Sequence, residues 1–211
     1  MCVVLLSGGL DSCVLLGSLI KSGLEVLALS VNYGQRHKIE LEHATAIAKH
    51  YGVKHFTLDL SAVAELISNS SQTNMSIDVP HGHWCAESMK ATVVPNRNMV
   101  MMSIAAAWAL TEGHPSIAIA AHGGDHTIYP DCRQEFMDAF LLAVKEGNWN
   151  AENFKVLRPF MSMTKKQIVA HGIRIGAPIA LSYSCYEGKE IPCEKCAACV
   201  ERFEALEGEQ I

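Results

Sequence analysis

Up to residue 60 the chain alternates between short apolar runs and segments with helical spacing. The runs cover 1–6, 25–31 and 55–60. Between them, 11–21 sets Val14, Leu15 and Leu19 at helical spacing and stops at Gly23. The segment 38–51 does the same with Ile39, Ala46 and Ile47 and stops at Gly52. A strand that is apolar along nearly its whole length is covered on both faces. Such strands, separated by single helices, belong to a parallel sheet with helices on either side. The expected fold class is therefore α/β, with a Rossmann-like parallel sheet. Of the 211 residues, 49% are apolar and 18% charged, too apolar a mixture for a disordered chain. The length supports one sizeable core with a small appendage rather than two ordinary domains.

The rest of the chain keeps the pattern less regularly. Residues 61–95 form a long irregular stretch that holds Ser68-Asn69-Ser70-Ser71-Gln72-Thr73-Asn74 and Pro80-His81-Gly82-His83. A loop this long in a compact domain serves as a lid, a binding loop or an interface arm, or else is a disordered insertion. Segment 98–112 is apolar almost all round, which predicts a buried helix. A strand is expected at 116–121. An amphipathic helix follows at 133–146, with Phe136, Phe140, Leu141 and Val144 on one face. A short strand at Val156-Leu157 and a helix over 164–171, ending before Gly172, complete the series. The longest apolar run, 99–110, is shorter than the about 18–20 residues a membrane span needs, so no membrane association is expected. No basic segment precedes the first run, so no secretory signal is read and the cytoplasm is the expected location.

Ser7-Gly8-Gly9-Leu10-Asp11-Ser12 falls where the first strand hands over to the first helix. Two glycines allow positive φ and a close approach of the backbone to an anion. The helix start adds unpaired N–H groups and the positive end of a dipole, and Ser7 and Ser12 add hydroxyls. Asp11 would repel a phosphate, but it makes sense with Mg²⁺ between the two. The hexapeptide is neither the nucleotide-binding pattern that ends in Gly-Lys-Ser/Thr nor the dinucleotide fingerprint. The competing reading is an ordinary capped turn. The motif also resembles the PP-loop of the ATP pyrophosphatases, which cleave ATP between its α- and β-phosphates, hold the leaving pyrophosphate there and adenylate a substrate oxygen.

Four of the eight cysteines, Cys185, Cys193, Cys196 and Cys199, fall within fifteen positions. In a reducing compartment, thiols at this spacing suggest a metal before a disulfide. Four thiolates close a tetrahedral Zn²⁺ at about 2.3 Å and leave no open position, so one structural zinc per chain is expected. Redox chemistry at a single Cys-x-x-Cys pair is the weaker alternative. The formal net charge of −5 and the acidic end (Glu204, Glu207, Glu209) argue against a nucleic-acid partner. His81 and His83 with Cys85 form a much weaker candidate for a second metal site.

Further polar clusters fall at expected strand ends or helix starts. They are Tyr33-Gly34-Gln35-Arg36-His37, Pro95-Asn96-Arg97-Asn98, His122-Gly123-Gly124-Asp125-His126 and Tyr129-Pro130-Asp131-Cys132-Arg133. Open α/β sheets bind ligands at the carboxyl ends of their strands, so these clusters are expected to converge on the phosphate loop. Arg36, Arg97 and Arg133 suit a phosphate or a carboxylate. Asp125 and Asp131 suit the ring N–H groups of a base, or Mg²⁺.

Taken in order, Ser7–Ser12, Tyr33–His37, Val94-Pro95-x-Arg97-Asn98, Tyr129–Arg133 with Glu135-Phe136, Thr164-Lys165, and Ser184-Cys185-Tyr186 with the three cysteines after it resemble the 7-cyano-7-deazaguanine synthase (QueC) family over nearly the whole chain. The resemblance implies an ATP-dependent, zinc-containing ligase, commonly dimeric, that converts 7-carboxy-7-deazaguanine and ammonia to the nitrile. It implies nucleotide contacts along Leu6, Ser7, Gly8, Gly9, Leu10, Asp11, Ser12, Cys13, Val14, Leu15 and Leu16. Asp11, Ser12 and Lys165 would act in catalysis, with Asp11 on Mg²⁺ and Lys165 on a phosphate. Gln35, Arg36, Arg97, Asp125, Tyr129, Asp131 and Arg133 would hold the deazaguanine and its carboxylate. The domain division implied is 1–180 for nucleotide binding and 181–211 for a zinc-binding segment packed on it. Glu194 departs from the family, which often has glycine there. Tyr183 stands where the residue type varies. The stretch 69–92, with His81-Gly82-His83-Trp84, does not align with the pattern. That leaves open a product that stops at the amide, transfer of the activated base to another acceptor, or a nucleotide-binding module without catalysis.

Overall fold

The computed structural model describes residues 1–83, 89–125 and 128–209. Five strands form one sheet: β1 (Cys2–Leu5), β2 (Val26–Asn32), β3 (Lys54–Asp59), β4 (Ser116–Ala118) and β5 (Lys155–Leu157). Their spatial order is β3-β2-β1-β4-β5, and every pairing is parallel. Val4 pairs with Ala28 on one side and Ala118 on the other, which makes β1 the centre. The order reverses between β1 and β4, and that reversal opens a crevice at the carboxyl ends.

Alternation along the strands assigns the helices to two faces. Val3, Leu5, Leu27, Leu29 and Ile117 pack on α3 (Arg97–Thr111) and α4 (Gln134–Gly147). Cys2, Val4, Leu6, Ala28 and Ala118 pack on α1 (Leu10–Lys21), α2 (Glu40–Tyr51) and α5 (Lys165–Ile175). Val4, Leu15, Leu16 and Ile168 have no exposed surface, and each burial contributes about 1.5–3 kcal/mol. A sixth helix, α6 (Ala197–Leu206), adds Ala205 to this second face. No helix among the described residues is long and apolar enough to cross a membrane.

The structure departs from the sequence pattern in three places. β3 is an edge strand with an exposed Phe56, not a strand covered on both faces. α3 buries Asn98, Met102, Ala105, Ala106 and Ala109 but leaves Met99 and Val100 exposed, because the sheet covers it from one side. α5 runs through Gly172 to Ile175. Gly172 is there because a Cβ would lie 2.6 Å from Val14 Cγ2, so it lets α1 and α5 approach closely. The start of α5 fits expectation, with Thr164 and Gln167 forming a capping box.

The described part of 61–95 is a packed strap. A 3₁₀ turn (Ser61–Ile67) leads into buried Ser70, Ser71 and Gln72. Ser71 N–H donates to the Ala91 carbonyl (2.7 Å), and Arg36 N–H donates to the Gln72 carbonyl (2.7 Å). Further on, His81 bridges to Cys196 in antiparallel fashion.

Candidate active site

The phosphate loop follows β1 at the crevice. Gly9 caps α1 without a side-chain bond, so the first N–H groups of the helix face outward. Ser12 Oγ donates to the Gly9 carbonyl (3.0 Å) and lies 3.0 Å from Ser7 Oγ, which accepts from Gly9 N–H (3.1 Å). Gly8 has φ +91°, and a Cβ there would overlap the Glu40 carbonyl oxygen at the start of α2. Leu6, Ser7, Gly9, Leu10, Asp11 and Ser12 line one cleft. Cys13, Val14, Leu15 and Leu16 turn into the core, where they hold α1 rather than face a ligand.

One lysine joins the loop to two other elements. Lys165 Nζ, at the start of α5, lies 3.1 Å from Asp11 Oδ2 and 2.8 Å from Glu201 Oε2. Burial works against its charge, yet Asp11, Glu201 and Asp125 outweigh burial and hold the ammonium well above the ordinary lysine range. Asp11 Oδ1 is buried without a partner. A carboxylate oxygen left open beside a phosphate loop fits a divalent cation. Buried His122 accepts Gly124 N–H at Nδ1 (3.1 Å), which places its proton on Nε2. That nitrogen lies 3.6 Å from Asp125 Oδ1 and 3.9 Å from Asp11 Oδ2. Asp125 is oriented by His122 N–H, which donates to its Oδ2 (3.1 Å).

The opposite wall is built by α3 and by the segments before α4 and α6. Arg97 lines the cleft with Tyr33, Asn98, Cys132 and Tyr186. Its guanidinium lies over the Tyr129 ring (5.8 Å to the centroid), and its Nε is buried without a partner. Burial alone would weaken its basicity, but Tyr33 and Asp131 lead the groups that hold it above the ordinary arginine range. Burial pushes the Tyr33 phenol up to about 12 and also raises Tyr186 and the Cys132 thiol. This wall is therefore neutral near pH 7 except where Arg97 and the acids stand.

The other expected substrate residues lie behind the wall or away from it. Tyr129 bonds Thr92 Oγ1 (2.7 Å) beneath Arg97. Asp131 accepts from Asn98 N–H through Oδ2 (3.1 Å) and so caps α3. Gln35 folds back to accept Tyr33 N–H (2.8 Å) and to donate to the Val31 carbonyl (3.2 Å). Arg36 donates to the carbonyls of Asn74 (2.9 Å) and Ile77 (2.8 Å), so it ties down the strap rather than facing the cleft. Exposed Arg133 caps α4. His126, Trp84 and Cys85 lie outside the described residues. His81 and His83 turn to Glu187 (2.9 Å) and Glu204 (3.2 Å). Glu201 carries no local sequence signal, and only its distance to Lys165 reveals it. His122 opens a cluster that the sequence places at a strand end, and the structure sets it beside Asp11 and Asp125.

The ligand atoms of Cys185, Cys193, Cys196 and Cys199 lie within 4.8 Å of one another, close enough to share a metal ion. Cys193 and Cys199 are 3.9 Å apart, near the about 3.8 Å edge of a tetrahedron with 2.3 Å bonds. Backbone N–H groups donate to Cys185 (3.3 Å), Cys193 (3.3 Å) and Cys196 (3.5 Å), as they do around thiolate ligands. Glu194 has φ +58°, a left-handed conformation that glycine adopts freely.

The family described as "Queuosine biosynthesis protein QueC" matches residues 1–210. The chain belongs to this family. Its relatives include the 7-cyano-7-deazaguanine synthase 1 of Colwellia psychrerythraea, 46% identical over 205 residues, 97% of this chain and 93% of that one. Another is the 7-cyano-7-deazaguanine synthase of Archaeoglobus fulgidus, 45% identical over 205 residues, covering 97% and 84% of the two chains. Among solved structures, the NMN synthetase of Francisella tularensis is similar at a TM-score of 0.53 and 17% identity, covering 99% of this chain and 77% of that one. That likeness shows the fold.

Proposed function

We propose that the chain is a 7-cyano-7-deazaguanine synthase, a carbon–nitrogen ligase that uses ATP to turn 7-carboxy-7-deazaguanine and ammonia into the nitrile. The observation that carries this reading is one cleft lined both by the phosphate loop and by half-buried, charged Arg97. The loop suits the phosphates of ATP, and Arg97 suits a carboxylate.

A carboxylate resists attack because its leaving group would be oxide. Transfer of AMP from ATP to a carboxylate oxygen releases pyrophosphate and supplies AMP as leaving group. Ammonia adds at the carbon and expels AMP, giving the amide and a proton. A second adenylation, on the amide oxygen, allows loss of AMP and a proton to give the nitrile. Catalysis here is mainly positioning and stabilisation of charge on phosphate. Ser7, Gly8, Gly9 and Ser12 hold the pyrophosphate portion, and Lys165 offsets its charge. Mg²⁺, when bound, would neutralise phosphate charge beside Asp11. Asp125, with Tyr186 close by, faces the base, while Tyr129 and Asp131 support Arg97 and Asn98 from behind. Cys185, Cys193, Cys196 and Cys199 hold one structural zinc in a segment, 181–211, packed on the nucleotide-binding part, 1–180. The same reading takes the protein to be a cytoplasmic homodimer.

The test is incubation with ATP, Mg²⁺, ammonium and 7-carboxy-7-deazaguanine, followed by mass spectrometry. The nitrile should form, and ATP should be consumed only with the carboxylate present. Carboxylate-independent consumption, or none, would overturn the proposal.

A further inference from the structure

We propose that Glu201 is a positioning residue for Lys165, sharing its ammonium with Asp11 so that it stays presented to the cleft. The inference rests on reading the cleft as an ATP site. Lys165 Nζ has two close carboxylates, and they differ in kind. Asp11 belongs to the phosphate loop and keeps one buried oxygen without a partner. Glu201 stands outside the loop, on α6, and is the nearer of the two at 2.8 Å.

Three contacts fix α6 and therefore fix Glu201. Cys196 caps the helix and Cys199 lies in its first turn, so the four-cysteine cluster holds its start. Arg202 donates to Ser182 Oγ (2.8 Å) and the Ile179 carbonyl (3.2 Å), which stops the helix from rotating. Ala205 is buried in the second core face, four positions from Glu201 and so on the same side of the helix. Ala198 and Glu201 line the cleft together. The carboxylate thus rides on a rigid element, as a positioning group must.

With the Glu201 charge removed, Asp11 becomes the closest counter-charge of Lys165. The ammonium, already 3.1 Å from Asp11 Oδ2, is then held by that carboxylate alone and drawn toward it. The phosphate position of the loop then loses much of the cation that faces it. The expected loss is about tenfold to hundredfold in ATP affinity, the worth of one charge-assisted hydrogen bond.

The test uses the full, metal-loaded chain with Glu201→Gln and Glu201→Asp. Calorimetric binding of Mg·ATP is measured beside metal content, melting temperature, and kcat and KM for ATP. Glu201→Gln should weaken ATP binding and raise KM at least tenfold, change kcat less, and leave metal content and melting temperature at wild-type values. Glu201→Asp keeps the charge and should recover most of the affinity. Wild-type ATP affinity in Glu201→Gln, equal losses in both variants, or loss of metal together with affinity would each overturn the proposal. A wild-type protein that binds ATP but forms no nitrile defeats the proposed reaction and leaves this test standing. A wild type without ATP affinity defeats both.

Discussion

Replacing Gly8 with alanine isolates what the phosphate loop demands of its backbone, and Gly23 supplies the control. Both residues have positive φ, +91° and +82°. At Gly23 a Cβ would meet nothing within 4 Å. Alanine there costs only the left-handed conformation, about 1–2 kcal/mol, less about 0.4–1 kcal/mol regained from the stiffer unfolded chain. The net is about 1 kcal/mol. At Gly8 the same conformational cost applies, and a Cβ would also overlap the Glu40 carbonyl oxygen and lie 2.9 Å from the Ala44 nitrogen. Those are backbone atoms of α2, which cannot turn aside as a side chain can. Overpacking of this kind adds about 1–3 kcal/mol, for a total of about 2–4 kcal/mol. A domain stable by about 5–15 kcal/mol survives this, but with the loop pushed away from α2. Urea unfolding gives the two stabilities, and calorimetry gives ATP affinity. Gly8→Ala should be the less stable by about 1–3 kcal/mol and should lose ATP affinity at least tenfold. Gly23→Ala should keep it. Equal costs for the two variants, or wild-type ATP affinity in Gly8→Ala, would refute the steric argument.

Glu194→Gly should stabilise the metal-loaded protein by about 0.5–1 kcal/mol, because a left-handed side-chain residue is relieved; an unchanged urea midpoint would count against this. Metal analysis should find about one zinc per chain, and Cys196→Ser should lose the metal and lower the melting temperature; full metal retention would remove Cys196 from the ligand set. Burial lowers the pKa of His55, whose Nε2 lies 2.8 Å from Ser30 Oγ. The unfolded chain then binds the extra proton more readily, so this contribution is whole above about pH 6.5 and is lost as the pH falls through the folded pKa. Urea midpoints between pH 7.5 and 5 should show the fall, and His55→Gln should reduce it. Titration of His55 at or above about pH 6.5 by NMR would contradict this.

Sequence and structure divide this protein along a physical line. Segment type and order were legible in the chain, because a buried parallel strand is apolar throughout and a helix repeats every 3.6 residues. Ser7 to Ser12 and the four cysteines were legible because each set acts through neighbours a few positions apart. Tertiary structure alone decided which distant segments meet. Sequence spacing does not bring Arg36 to the carbonyls of Asn74 and Ile77, or Glu201 to Lys165, 36 positions away. The exposed side of α3 was hidden for the same reason. Its residues are apolar all round, and only its place on one face of the sheet leaves Met99 and Val100 uncovered. The crevice itself exists because β4 lies beside β1 on the side away from β2, and that adjacency is a property of the packed sheet, to which no single segment holds the key.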